Sequence, residues 1–418
     1  MEIAVVMDKI YNKSLLIIIF LVFATWSNAI YNAAVSISMG LLLAWIIIDL
    51  IRYKSWHKFR VPKVLMFSVG TYLIGVLLAN SIVGGAKNIS NALDYIYWAA
   101  PMLLIIYSCR NPNIIPAVNW GMIVSIFYTS FASLYQIYYR LTDLVFEAYI
   151  SSLPYGNRIT GFYYNPNFYA VLLILILPFV VIWTIQAFRG KRYNFLLFAN
   201  IIALIVGVIS LIGTFSRGSI LGLCLGGLIT LIAYGIIYKK YKVIGFALAL
   251  GFLGWLGVEL LAQIKASYGV YRSYDNERLL LWKSSYYMWK DHKLFGVGFH
   301  EWQYFYQQQY ILLEARERTL EMPHNNIAWF FSATGVLGGS AFIVFLVGIV
   351  SYLVRAIKKR FSNNYILYAM MWAFLGLLFQ GMVDVGFTMK SSARLFFVLL
   401  GLAVASSNYE SVEKHLLN

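Results

Sequence analysis

Arg217 stands in Gly213-Thr-Phe-Ser-Arg-Gly218, a short turn between two apolar runs. A charge at membrane depth is costly and is usually kept for an ion pair or an anionic ligand. Arginine suits phosphate, because its planar fork donates two parallel hydrogen bonds. The competing reading is a guanidinium that snorkels into lipid headgroups. Arg278 lies in a long polar segment near Asp275 and Glu277, where an ordinary surface salt bridge is the simpler account. Arg272, Arg316 and Arg318 in the same segment are weaker candidates. Arg158 belongs to Arg158-Ile-Thr-Gly161-Phe-Tyr-Tyr-Asn165-Pro166-Asn167, in which Gly and Asn-Pro mark a tight turn entering a helix. Asn167 there either caps the helix or contacts a substrate.

His324 follows Pro323 where the long segment returns to apolar sequence. A histidine exchanges a proton near neutral pH, so it can act as general base toward a hydroxyl. Asn325 and Asn326 follow it and could orient it or an acceptor. A structural histidine at a helix start is the plainer alternative. His292 and His300 share the long segment, but no close i, i+4 pair or CxxC accompanies them, so no metal site is expected. Cys109 and Cys224 give neither a disulfide framework nor a haem motif. Asp384, near the end of a late apolar run, is the clearest intramembrane carboxylate. It is expected to pair with Lys390, Arg394 or one of the site arginines. A proton-coupled transporter would use such a group too, but would show two related halves with broken helices, and no such symmetry is visible.

These residues need a scaffold, and composition dictates its kind. Hydrophobic residues make up 61% of the 418 and charged residues 12%, too much apolar surface for a soluble chain to hide. Windows of roughly 20 apolar residues define twelve spans: 14–29, 33–51, 64–82, 93–108, 115–138, 168–188, 195–212, 218–238, 243–262, 336–354, 365–385 and 393–405. The fold class is thus all-α, a polytopic membrane bundle of about twelve transmembrane helices. Lys9 and Lys13 precede the first run, and further spans follow at once, so that run reads as a retained helix rather than a cleaved signal peptide.

Lys and Arg concentrate in alternate loops. Nineteen of the 33 fall on one side; of the 14 on the other, eight lie in the long segment 263–323, which would translocate regardless of charge. The remaining asymmetry of 19 to 6 places both termini in the cytoplasm and the long segment outside. Arg158, Arg217, Arg278 and Arg394 then share the outer face, with His324 and Asp384. The net charge of +16 sits mostly in short inner loops, where it sets topology and meets anionic lipid. No compact basic domain remains for nucleic acid. The chain divides into spans one to nine (1–262), the large loop (263–323) and a re-entry segment with spans ten to twelve (324–418), all one membrane domain. Two outer segments stand out by length, 139–167 and 263–323, and within the second Arg278–Met288 reads as an amphipathic interfacial helix.

Four ordered pieces carry a family resemblance: Arg158…Gly161…Asn165-Pro-Asn167; Ser216-Arg217-Gly218; Arg278…Trp282…Gly296-Val-Gly298; and His324-Asn325…Thr334-Gly335-Val-Leu-Gly338. With them the chain resembles the O-antigen ligase family of bacterial membrane glycosyltransferases, which includes O-antigen polymerase-like proteins. The resemblance implies a GT-C-like helical bundle in the bacterial inner membrane with its active site on the periplasmic face. It implies a glycan donor on undecaprenyl pyrophosphate, an acceptor such as a lipid A core sugar, inversion at the anomeric carbon, and no metal or other cofactor. Arg217 and Arg278 fall on the family's pyrophosphate-holding arginines, and His324 on its proposed base. Arg158, Asn165, Asn167, Asn325, Asn326, Asp384 and Arg394 are the accompanying substrate-binding candidates. The large loop, about 60 residues, is short for shaping acceptor recognition, so a polymerase acting on lipid-linked repeat units is the alternative. A second cationic subsite, Arg316 with Arg318 or Lys390 with Arg394, would favour it. A transporter of lipid-linked glycan is the lesser alternative.

Overall fold

The computed structural model describes residues 13–22, 24–25, 29–53, 60–109, 111–142, 158–163, 165–267, 274–359 and 365–416. Among these residues the regular elements are helices, with no strand. In chain order they are α1 (Lys13–Val22), α2 (Ala29–Tyr53), α3 (Lys63–Val83), α4 (Ala86–Ser108) and α5 (Ile115–Thr142). There follow α6 (Pro166–Arg189), α7 (Phe195–Gly213), α8 (Arg217–Ile237), α9 (Tyr241–Ser267) and α10 (Tyr274–Asp291). The one-turn α11 (Trp302–Phe305), α12 (Asn326–Lys358), α13 (Tyr365–Gln380) and α14 (Lys390–Leu416) complete the chain. Each of the twelve expected spans overlaps a helix among the described residues. Among the described residues nine are long and apolar enough to cross a membrane, while α1, α13 and the 241–253 part of α9 are shorter apolar helices.

Several ends differ from expectation. Helix α4 starts at Ala86 rather than residue 93, because Gly84 and Gly85, at φ 84° and 85°, reverse the chain directly after α3. Helix α13 stops at Gln380, not 385, and α14 starts at Lys390, not 393; the segment between them makes a turn and a short 3-10 helix at Gly386–Thr388.

Helices α6 and α14 form the centre, with 78% and 94% of their spanning windows buried, whereas 28% of that of α8 is buried. A run apolar on every side satisfies itself only inside a bundle, and α6 is such a run. Helices α8 and α13 approach through glycine. A Cβ on Gly222 would lie 2.5 Å from the Gly376 carbonyl oxygen, and one on Gly226 would lie 2.7 Å from the Gly376 nitrogen. Small residues allow such backbone approach where lipid supplies no hydrophobic drive. Trp372 then donates its indole N–H to the Leu223 carbonyl at 2.7 Å. This contact aligns the start of α8, which carries Arg217, with the turn that follows α13.

Helix α12 is broken. Gly335 adopts φ 63° and ψ −160°, so residues 326–334 form a separate half-helix ahead of the span expected from residue 336. The exposed backbone groups at the break are met by the loop. Val297 and Gly298 donate to the Ser332 and Ala333 carbonyls at 3.1 and 2.8 Å, and Val336 and Leu337 donate to Lys293 and Leu294 at 2.7 and 3.2 Å. Irregular backbone at membrane depth persists only with such substitutes. The Gly296-Val-Gly298 and Thr334-Gly335 pieces of the sequence are thus two sides of one joint.

Candidate active site

The half-helix before Gly335 brings in the histidine. Asn325 caps it, its side-chain oxygen accepting from the Ala328 N–H at 3.0 Å, while its amide donates to the Met382 carbonyl at 2.9 Å. The Asn326 backbone N–H donates to the Gly381 carbonyl at 2.8 Å. Two asparagines therefore staple the start of α12 to the turn after α13. A Cβ on Gly381 would meet the end of the Asn326 side chain, so the turn and the start of α12 pack closely there. Immediately before the cap, His324 sits at φ 50°, a left-handed conformation uncommon outside glycine and maintained here by the bonds on either side.

His324 Nδ1 lies 3.0 Å from Asp384 Oδ1. The same carboxylate oxygen accepts from the Val385 N–H at 2.9 Å. Asp384 is buried, and a quarter of the His324 side chain is accessible. Burial pushes the Asp384 carboxyl up, but the His324 hydrogen bond and charge, the Val385 N–H and the Arg278 charge together hold it below the ordinary carboxylate range. A carboxylate fixed on Nδ1 orients the ring, sets its tautomer and stabilises an imidazolium, leaving Nε2 to exchange a proton with a ligand. The expected partners Lys390 and Arg394 do not pair with Asp384. Both belong to α14, beyond the intervening 3-10 turn, and Arg394 Nε donates instead to the Lys390 carbonyl at 3.1 Å.

A helix was expected from Arg278 to Met288; α10 spans Tyr274–Asp291, and its placement joins the loop to the site. Trp282 donates its indole N–H to the Pro323 carbonyl at 3.1 Å. Arg278 stands one turn earlier on the same face, as i, i+4 spacing requires, and its charge acts on Asp384. The salt bridge anticipated for Arg278 is not formed with Glu277. That carboxylate accepts from the backbone N–H groups of Arg316 and Glu317 at 2.9 and 3.3 Å. A cavity of about 220 Å³ lies between α10 and the half-helix 326–334, lined by Trp282, Tyr286, Trp289, Ile327, Ala328 and Phe331. Trp282 thus faces both the cavity and the backbone of the histidine segment.

Arg217 opens α8, where helix amides and dipole favour an anion. Its neighbour Gly218 abuts the Val383 side chain so closely that a Cβ would lie 2.5 Å from it. The Arg217 turn therefore adjoins the residue before Asp384. Arg158 lies behind this turn. Its Nε donates to the Thr214 carbonyl at 2.7 Å, its Nη2 to the Asn167 side-chain oxygen at 2.6 Å, and Ile159 N–H reaches the Gly213 carbonyl at 2.9 Å. Arg158 is a strap that holds the turn carrying Arg217. Asn167 anchors the strap and is not the helix cap; Asn165 caps α6, accepting from the Asn167 N–H at 2.8 Å, because Pro166 occupies the first helical position. The rest of the expected 139–167 segment, at 143–157 and 164, lies outside the described residues, as does Arg272.

The structure thus gathers His324, Asp384, Asn325, Asn326 and Arg278, sets the Arg217 turn against them, and places Arg158, Asn165 and Asn167 as its support. Arg394 belongs elsewhere, near Asp94, Tyr97 and Tyr163. His292 packs edge-on against Phe305 and Tyr310. Sequence reasoning passed over Asn80 and Asn88. Their side-chain oxygens accept from the Phe299 and His300 N–H groups at 3.0 and 2.7 Å, tying the loop to α3 and α4. A polar amide within an apolar run is the signal that marks Asn80, whereas Asn88 lies in the polar stretch Lys87–Asn91 and carries no such signal.

Residues 202–343 match the family model described as O-antigen ligase. The matched stretch runs from within α7 through the Arg217 turn, Arg278, the Gly296–Gly298 joint and His324 to the first part of the α12 span. Arg158 and Asp384 lie outside it. No curated protein matches the chain.

Proposed function

We propose that this chain, whose residues 202–343 carry the O-antigen ligase match, transfers a glycan from undecaprenyl pyrophosphate to an acceptor hydroxyl, a lipid A core sugar in the ligase reading. The observation that supports it most is the His324–Asp384 pair at 3.0 Å, set beside the charge of Arg278. Such a pair is a base held for proton removal, and the family's chemistry is glycosyl transfer.

In this reading the polyprenyl chain stays in the lipid and its first units occupy the cavity between α10 and α12. The pyrophosphate meets Arg217 and Arg278. His324 Nε2 takes the acceptor hydroxyl proton as that oxygen attacks the anomeric carbon. The bond from that carbon to the pyrophosphate oxygen breaks, and undecaprenyl pyrophosphate leaves with the electron pair. The arginines stabilise the charge that grows on it. A single displacement inverts the anomeric carbon. Asp384 holds the ring and balances the imidazolium. The Lys and Arg asymmetry supports both termini in the cytoplasm, with the site on the periplasmic face of the bacterial inner membrane.

The test is glycan transfer in membranes of a strain lacking its own ligase, comparing wild type with His324→Ala and Arg217→Ala. Core-linked polymer made by wild type and lost in both variants supports the ligase. Lengthened lipid-linked chains without core-linked product support the polymerase. A transporter of the same lipid would keep working with alanine at 324, and that result would remove the transferase reading.

A further inference from the structure

A second cationic cluster lies apart from His324. Lys390 is the first residue of α14, and Arg394 stands one turn below it on the same face. Arg394 is among the largest fully buried side chains, 1% exposed. Its Nε is satisfied by the Lys390 carbonyl, and Tyr97 contributes a side-chain hydrogen bond. Its Nη2 has no hydrogen-bond partner among the described residues. A guanidinium taken out of water with an unused donor is a large penalty unless an anion completes it.

Among the described residues the negative charge around it falls short of that. Asp94 of α4 is the carboxylate that acts on both Lys390 and Arg394, one acid against two bases. Asp94 is exposed and Lys390 half-buried, so the cluster is open at its rim and closed at Arg394. Its floor is tied to the other site by one short segment. Arg158 at the start of that segment straps the Arg217 turn; Tyr163 at its end neighbours Ser391 and Arg394 and donates its hydroxyl to the Thr25 carbonyl.

We propose that Lys390 and Arg394 form a second phosphate site, which takes the phosphate headgroup of another lipid-anchored molecule alongside the donor. Two cations, one deep with a free N–H and one at the rim, suit a headgroup that enters from the membrane and presents several oxygens. Identifying that molecule with a lipid-linked acceptor rests on the glycosyl-transfer reading; the phosphate site itself does not. An occupied acceptor site of this kind would make the enzyme one that joins two lipid-linked glycans.

Native mass spectrometry of the full-length protein counts the bound lipids, with undecaprenyl pyrophosphate and phosphatidylglycerol as probes. Wild type is expected to retain two undecaprenyl pyrophosphates. Lys390→Gln should retain one, the second weakened about ten-fold, as for one lost charge-assisted contact. Arg217→Ala should lose the other copy, so failure at the first site and failure at the second are separate results. Arg394→Lys keeps the charge, and its melting temperature checks that the bundle still forms. A phosphatidylglycerol chase that leaves both pyrophosphate lipids in place assigns the second site to a substrate; displacement of one copy assigns it to membrane headgroups. Two copies bound as tightly in Lys390→Gln and Arg394→Lys as in wild type would overturn the proposal and leave the cluster a structural ion network.

Discussion

The indole N–H of Trp282 donates to the Pro323 carbonyl at 3.1 Å, so the loop helix holds the peptide that precedes His324. Trp282 is half-buried and also lines the cavity beside the half-helix 326–334. One side chain therefore couples loop position to the orientation of the candidate base.

Trp282→Phe keeps the ring packing and removes the donor. Losing one hydrogen bond of this kind costs about 1 kcal/mol, so transfer is expected to fall roughly five- to ten-fold while the melting temperature stays near wild type. Initial rates of glycan transfer, with melting measured in the same detergent, check this. An unchanged rate would show that the bond does not orient His324.

Asp384→Asn preserves shape and removes the charge that fixes the imidazole. Transfer should fall by about 10²- to 10⁴-fold, the range seen when a catalytic base loses its orienting carboxylate. If His324→Ala in the Asp384→Asn background brings little further loss, the two act as a unit. Independent, multiplying losses would argue against the pair.

The same carboxylate predicts a pH effect on stability. Its folded pKa is held below the unfolded value of about 3.9, so its stabilisation is present above that value. It is lost as pH falls through the lower folded pKa. The melting difference between wild type and Asp384→Asn should narrow as pH falls below about 4. Melting curves across that range give the answer, and a difference that widens toward acid would contradict the assignment.

Arg217→Lys retains charge but not the planar fork. If the fork grips pyrophosphate, transfer should drop by roughly 10²-fold, comparable to removing a preorganised donor to a developing anion. Full activity in this variant would sink bidentate binding, though not the placement of Arg217 beside Val383.

Gly335→Ala tests the break in α12. At φ 63° and ψ −160° an alanine is strained, and its Cβ would overlap the Leu294 and Phe295 backbone, which cannot rotate away. A destabilisation of at least about 3 kcal/mol is expected, read as lost expression or a lower melting temperature. Gly40, with open space around its Cβ, provides the control, and Gly40→Ala should be silent.

How much of this was legible beforehand depends on the range of the interaction. The spans follow from local hydropathy, and Asn165-Pro166 announces a helix start by itself. His324 and Arg217 stand out because charge and imidazole are rare beside apolar runs. The His324–Asp384 pair was not legible, since 60 residues and two helices separate its members, and Asp384 had nearer cations in Lys390 and Arg394. The strap role of Arg158 was hidden for the same reason: Thr214 adjoins it only after α6 and α7 have folded back together. Asn80 and Asn88 satisfy backbone groups more than 200 positions away. Only tertiary structure names such partners.

The joint at Gly335 has a consequence for local opening. The amides of Val297, Gly298, Val336 and Leu337 are shielded by carbonyls on the opposite side of the break, not by their own helix turns. None of the four can be released singly without loosening the loop and the helix together. In hydrogen–deuterium exchange they should behave as one slow cooperative group despite their distance in sequence. The half-helix bearing Asn325 and Asn326 would share its opening free energy with the loop rather than with the span below.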